Sequence, residues 1–259
     1  MAYALITGAS GGIGFALAGE LASRKHDVLL VARSEELLKN NCEYLKKTYG
    51  ISADYLAIDL ATPGSAARVK AWVDQNNRSV DILINNAGFG SWGPLRDLPE
   101  EEFKGMIQLN MVTLAELCKT FIPMLENQSK AYILNVSSTA AYQAVPTLAT
   151  YAATKAFVLL FTRGLKWELN RTSVSVSCLS PGPTTTGFID RANLGMIKER
   201  AEKFSMKPEA VAKAAIDGMY AGKAEIIPGF TNWLSAKLAE IVPKPLTERI
   251  AMNLYKTPE

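Results

Sequence analysis

The chain has 259 residues, enough for one large α/β domain, and its formal net charge of +3 comes from basic residues interleaved with acidic ones, a pattern that argues against nucleic-acid binding. One histidine, His26, cannot by itself supply a His-based metal site or triad, and Cys42, Cys118 and Cys178 lack metal-ligand spacing. No metal is therefore expected, the thiols read as reduced groups of a cytoplasmic protein, and no apolar run approaches the roughly 18 residues of a signal anchor or membrane span.

The run Tyr3-Ala4-Leu5-Ile6-Thr7 predicts a buried strand that opens into Gly8-Ala9-Ser10-Gly11-Gly12-Ile13-Gly14 and then a helical pattern through Phe15, Leu17, Ala18 and Leu21. Strand, glycine loop and helix, in that order, form a phosphate-binding turn. Glycines let the backbone approach a pyrophosphate, and the helix N-terminus offers unpaired N–H groups and partial positive charge. The spacing is TGxxxGxG, with no Gly-Lys-Ser/Thr to suggest a nucleoside triphosphatase.

A second strand, Asp27 to Ala32, ends at Arg33-Ser34-Glu35-Glu36. An acidic residue here would bind the ribose hydroxyls of NAD, whereas Arg33 matches the 2′-phosphate of NADP, with Ser10 as an additional hydroxyl donor. The third strand, Ala53 to Ile58, leads to Asp59-Leu60, where Asp59 is placed to accept from the adenine amino group or to cap the following helix. The fourth, Asp81 to Ile84, runs into Asn85-Asn86-Ala87-Gly88. Small residues there permit close approach of a cofactor, and the amides tie neighbouring strands.

A long helical pattern from Glu100 to about Leu125 carries Asn110 on or beside its apolar face, either with a structural partner or as the holder of a water that connects Lys155 to solvent. The apolar run Ala131 to Val136 predicts a buried strand with Ser138 at its end. A second long helix, roughly Thr150 to Leu169, carries Tyr151-Ala152-Ala153-Thr154-Lys155. Tyrosine and lysine four positions apart leave one helix face a turn apart. Lowering a phenol pKa from about 10 to near 7 takes about 4 kcal/mol, more than one screened surface charge supplies. The lysine together with an oxidised nicotinamide would supply two positive charges. Apolar residues surround much of this helix, so pairing with another subunit is expected, as a homodimer or homotetramer through helices about 100–125 and 150–169.

After the strand Val174 to Leu179 comes a loop from Pro181 to Gly187, whose backbone, Pro181 and Gly182 included, and Thr184 or Thr186 are expected to bind the nicotinamide carboxamide. Residues about 188–207 read as a substrate lid, Pro208 to Ala221 as a helix and Ala224 to Pro228 as the last strand. The tail, about 230–259, reads as an amphipathic helix and a further short helix that pack on the domain or a partner subunit, with a membrane surface as the alternative. Phe89, Trp92, Gln143, Ala144, Phe188 and Met196 are candidate pocket residues and suggest an apolar small-molecule substrate.

Taken together, Thr7-Gly8-x-x-x-Gly12-x-Gly14, Asn85-Asn86-Ala87-Gly88, Asn110, Ser138, Tyr151-x-x-x-Lys155 and Pro181-Gly182 resemble the short-chain dehydrogenase/reductase family. The resemblance implies a single Rossmann domain over 1–259: a doubly wound, seven-stranded parallel sheet of order 3-2-1-4-5-6-7 with helices on both faces. It also implies a catalytic set of Asn110, Ser138, Tyr151 and Lys155. In the family the tyrosine exchanges a proton with the substrate oxygen, the serine orients that oxygen, the lysine binds nicotinamide ribose and lowers the tyrosine pKa, and the asparagine supports a water relay. Cofactor contacts then fall on Gly8, Ser10, Gly11, Gly12, Ile13, Gly14, Arg33, Asp59, Leu60, Asn86, Ala87, Gly88, Tyr151, Lys155 and the loop from Pro181. Thr184 replaces the aliphatic residue often found after Pro-Gly-x in the family. The expected activity is NADP(H)-dependent interconversion of a carbonyl and a secondary alcohol. The alternatives are a dinucleotide-sensing regulator without turnover and a sugar-nucleotide epimerase or dehydratase.

Overall fold

The apolar strand runs alternate between two cores, which is why they read as nearly continuous hydrophobic stretches. In β1 (Tyr3–Thr7), Ala4 and Ile6 face one layer and Leu5 the other. Val28 and Leu30 of β2 (Asp27–Ala32) and Ile82 and Ile84 of β4 (Val80–Asn85) join the first layer, while Leu29 and Leu83 join the second. With β3 (Ala53–Ala57), β5 (Ala131–Val136), β6 (Val174–Leu179) and β7 (Glu225–Ile226) they form one parallel sheet of order 3-2-1-4-5-6-7. The sheet has the expected order. This computed structural model describes residues 2–185 and 205–254.

Against the first face lie α1 (Gly12–Ser23), α2 (Glu35–Tyr49) and the helix Pro208–Tyr220, which we number α7. Against the second lie α3 (Ser65–Gln75), α5 (Leu114–Glu126) and α6 (Ala149–Glu168). The long helix expected from Glu100 is a continuous rod in three parts: α4 (Glu100–Ile107), a π-helical segment over Gln108–Thr113, and α5. The widened turn centres on Asn110, and such turns commonly mark functional positions.

The final strand is shorter than expected, two residues rather than Ala224 to Pro228, because the chain turns away at Pro228 into α8 (Phe230–Ile241) and α9 (Lys244–Leu254). Helix α8 inverts the usual amphipathic arrangement. Small Ala236 and Ala239 face the protein, whereas Phe230 (72% exposed) and Ile241 (80%) face outward with Leu234 and Leu238. Among the described residues no helix is long and apolar enough to cross a membrane.

Candidate active site

Every expected site residue that is described lies on a loop or helix near the carboxyl ends of the central strands, where this topology opens a crevice. The glycine-rich turn after β1 is built first. Gly8 adopts φ +67 and its N–H donates to Val31 O at 2.7 Å, which turns the chain out of β1. A Cβ at Gly8 would sit 2.8 Å from Asn86 Nδ2 and 2.9 Å from Ala87 Cα, and one at Gly14 would overlap Gly8 O and Asn86 Nδ2. Both glycines are thus required by the protein's own packing.

Gly11 is different. Its backbone is extended and nothing lies within 4 Å of where its Cβ would be, so neither conformation nor packing requires a glycine there. It precedes α1, whose N-terminus carries no side-chain cap. An open cradle at a helix N-terminus with free N–H groups fits a pyrophosphate.

Two residues for which the sequence suggested no contact hold this loop. Thr7 Oγ1 accepts from the N–H groups of Asn86 and Ala87, both at 3.0 Å, and donates to Ile84 O at 3.2 Å. Asn41 Nδ2, from α2, donates to the carbonyls of Ala9 (3.1 Å) and Ser10 (3.2 Å). Thr7 stands in the TGxxxGxG motif without a role of its own, since a threonine in an apolar strand signals only strand preference, and Asn41 on a polar helix face carries no cue at all. Asn86 Nδ2 closes the loop by donating to Thr7 O (2.9 Å) and Gly8 O (3.2 Å).

Arg33 is exposed at the end of β2 and has no hydrogen bond or ion pair among the described residues, so it is free to meet an anion. Asp59 is exposed. Its Oδ1 accepts from Ala61 N at 2.9 Å, which caps the turn before α3 and leaves its second oxygen open. Leu60 turns its side chain into the core, and its carbonyl accepts from Ser65 Oγ and Thr113 Oγ1. Side chain and carbonyl of Leu60 are therefore spent on the fold.

Around α6 the catalytic candidates converge. Lys155 is 5% exposed, its Nζ donates to Val136 O at 2.9 Å and stands 5.7 Å from the centre of the Tyr151 ring. Burial holds the ammonium down to about 8 from its ordinary 10.5. Ser137 Oγ donates to Lys155 O at 2.7 Å, so α6 is pinned to the end of β5 at this residue. Tyr151 is 9% exposed and packs in a cluster with Met106, Val145, Leu148 and Ala152. Ser138 lies two residues past the end of β5 and caps the short 3₁₀ turn Thr139–Tyr142. Its Oγ accepts from Ala140 N at 3.1 Å, and its own proton is not spent on any described acceptor.

Asn110 is wholly engaged. Its Oδ1 accepts from Phe89 N (3.1 Å), and its Nδ2 donates to Phe89 O (2.9 Å) and Thr154 Oγ1 (3.0 Å). A Cβ at Gly88 would lie 3.0 Å from Asn110 Oδ1 and 3.2 Å from Lys155 Nζ. Asn110 therefore holds the strand-end backbone and α6 together around the lysine.

The loop after β6 is held from the tail. Pro181 O accepts from Thr139 N at 2.9 Å, Thr184 Oγ1 donates to Gly182 O at 3.0 Å, and the side chain of Asn232, from α8, fills the space where a Gly182 Cβ would be. Of the candidate pocket residues, Phe89 and Trp92 pack on the Tyr151 cluster, Gln143 is partly buried and Ala144 is exposed. Thr186, Phe188, Met196 and most of the expected lid lie outside the described residues. The three cysteines are buried, which pushes their thiols up to about 11 (Cys42) and about 12 (Cys118, Cys178), far from nucleophilic range.

A family model described as short chain dehydrogenase matches residues 2–195. A very-long-chain 3-oxoacyl-CoA reductase of Laccaria bicolor is 30% identical over 217 residues, covering 83% of this chain and 62% of that protein, less than two thirds of its length. A 7beta-hydroxysteroid dehydrogenase of Mediterraneibacter gnavus is 29% identical over 216 residues, 83% of this chain and 81% of that one. Among solved structures, a short-chain dehydrogenase from Sphingobium yanoikuyae in complex with NADPH superimposes with a TM-score of 0.82 at 29% identity, over 93% of this chain and 94% of that one.

Proposed function

This chain belongs to the short-chain dehydrogenase family, and from that premise we propose that it is an NADP(H)-dependent oxidoreductase interconverting a carbonyl and a secondary alcohol, with Tyr151 as the proton donor in reduction. The observation that carries the proposal is the buried Lys155 ammonium beside the Tyr151 ring at the end of β5. A positive charge held in a low-dielectric site favours phenolate over phenol, which makes the tyrosine a better acid toward a developing alkoxide.

The dinucleotide, when bound, supplies hydride at its nicotinamide carbon. The chain supplies the rest. Gly11 to Gly14 and the α1 N-terminus hold the pyrophosphate, Arg33 meets the 2′-phosphate, and Lys155 contacts ribose hydroxyls, while Asp59 takes the adenine amino group. Ser138 donates its unspent proton to the substrate oxygen and so directs that oxygen toward Tyr151. Asn110 acts as a positioning residue. Its amide fixes the backbone at Phe89 and the helix that carries Lys155. Arg33, exposed and without a partner among the described residues, is the support for NADP over NAD, along with the NADPH held by the similar Sphingobium protein. A homodimer or homotetramer fits α6, on which Leu160 (71% exposed) and Trp167 (75%) stand out in a single chain.

The test is a panel of carbonyl compounds followed by NADPH absorbance, with Tyr151→Phe as the comparison. On any compound reduced, the variant is expected to lose roughly a hundredfold or more in kcat while binding NADPH normally. Full activity in the variant removes the mechanism. Arg33→Asp is expected to weaken NADPH roughly tenfold to a hundredfold with little effect on NADH. Equal weakening of both would leave the cofactor preference without support.

A further inference from the structure

The wall of the site beside Tyr151 is apolar. Met106, Val145, Leu148, Tyr151 and Ala152 form one buried cluster, on which Phe89, Trp92 and Ala140 pack. Within that wall one polar atom stands unmatched: Trp92 Nε1 is buried and has no hydrogen-bond partner. The other buried, unpartnered side-chain atoms among the described residues, on Arg78, Asn85 and Glu116, belong to none of the residues of this cluster. Buried indole N–H groups almost always find an acceptor, because water has been lost and nothing replaces it otherwise. If only an aromatic plate were needed on this cluster, a phenylalanine would serve without that penalty.

We propose that Trp92 is a specificity-determining residue whose indole N–H donates to a neutral oxygen of the substrate other than the one being reduced. The proposal rests on the carbonyl-reductase reading above, since the reacting oxygen is already served by Ser138 and Tyr151. It names the substrate class: a carbonyl compound with a largely apolar frame and a second acceptor, such as an ester or amide carbonyl or an ether or hydroxyl oxygen. A carboxylate is disfavoured at this position, because an indole N–H brings no countercharge and a buried anion would lose its hydration there. The expected signature is discrimination by one hydrogen bond, which is large where a site's own donor is otherwise left unpaired.

The experiment compares the wild-type protein with Trp92→Phe on two chain-matched compounds, ethyl butyrylacetate and propyl pentyl ketone, with NADPH. Wild type is expected to favour the keto ester, and the variant to lose roughly tenfold in kcat/KM on the ester, mainly through KM, while the plain ketone and NADPH affinity stay unchanged. Equal losses on both compounds would mean the ring serves only as packing, and no loss on either would mean the N–H meets no substrate atom. Both outcomes overturn the inference and leave the reductase reading standing. A wild-type protein that reduces no carbonyl compound at all overturns both. A second readout does not depend on the variant's folding: in a ¹⁵N spectrum of the wild-type NADPH complex, the Trp92 indole resonance is expected to move on adding the keto ester and not the plain ketone. A resonance indifferent to both would sink the proposal.

Discussion

The two loops that face each other across the crevice are held by different kinds of atom. After β1, the glycines are crowded by main chain as well as by the Asn86 amide: Gly14 by Gly8 O, and Gly8 by Ala87 Cα. After β6, Gly182 is crowded by a side chain, the amide of Asn232, which arrives from α8. Asn232 is itself fixed by donating to Pro228 O at 2.8 Å. The tail is tied down nearby by Lys237, which reaches Glu225 at 3.7 Å while Glu225 accepts from Tyr142 OH at 2.5 Å. Backbone against backbone cannot yield without moving two central strands, whereas a side chain can rotate away. The end of the crevice at Gly8 to Gly14 is therefore set by the sheet itself, and the end at Gly182 by how well the tail is docked.

The sharpest way to break that contrast is Gly14→Ala. The added methyl meets main-chain oxygen and has nowhere to go, so a loss of about 3 kcal/mol or more is expected, with dinucleotide binding abolished. Gly11→Ala, three residues away in open space, is the control: thermal unfolding should match wild type within about 0.5 kcal/mol while NADPH affinity falls. Similar melting curves for both variants would show that the loop is not fixed by its own backbone.

Between the two loops lies Lys155, and its effect has the opposite sign. Its folded-state pKa of about 8 lies below the ordinary 10.5, so folding favours the neutral amine. The cost of burying the ammonium is absent above about pH 10.5, grows as pH falls, and is complete below about 8. The difference corresponds to about 3 kcal/mol at neutral pH, of which Lys155→Met would recover about 2 after losing the bond to Val136 O. Urea unfolding of the cofactor-free variant should show it more stable than wild type at pH 7, with the advantage shrinking toward about pH 9.5, while catalysis is lost. A variant that is less stable at neutral pH would mean that the ammonium contributes to folding, and that the site does not store the charge for use on Tyr151.

The same contrast explains what could be read from the residues alone. The strands themselves, the glycine turn after the first of them, Ser138 at a strand end and Tyr151 and Lys155 on one helix face were legible, because two-sided apolar runs, glycine spacing and a four-residue helical spacing report directly on backbone geometry, whereas the sheet order came from the family resemblance and not from the pattern. The π-helical turn at Asn110 was not, since one extra residue in a helical rod barely disturbs a 3.6-residue apolar period. Nor was the orientation of α8. Amphipathicity in the tail announces an apolar face but does not say which way it turns, and here Ala236 and Ala239 face inward while Ile241 faces out. Asn232 carries no signal at all in the sequence, because a polar residue in a surface helix reads as solvated. Sequence patterns thus described the backbone-held loop and missed the partner that holds the other.

The smallest expected effect tests that partner directly. Gly182→Ala should destabilise the protein by about 1 kcal/mol, because the methyl displaces the Asn232 amide, which can rotate at the expense of its bond to Pro228 O. Asn232→Ala alone should cost a similar amount, since it removes that bond and opens a gap over Gly182. The double variant is where the two accounts part. If side chain against glycine is the contact that matters, the alanine methyl fills the gap left by the amide, and the pair should cost clearly less than the sum of the singles, with a coupling of about 1 kcal/mol. Additive losses would show that Gly182 is held by its own backbone, as Gly14 is. Measured alongside NADPH and NADP⁺ affinities, the same cycle reports on function: a loop that depends on the tail should loosen cofactor binding in each single variant and recover in the double, whereas the turn at Gly8 to Gly14 stays unchanged throughout.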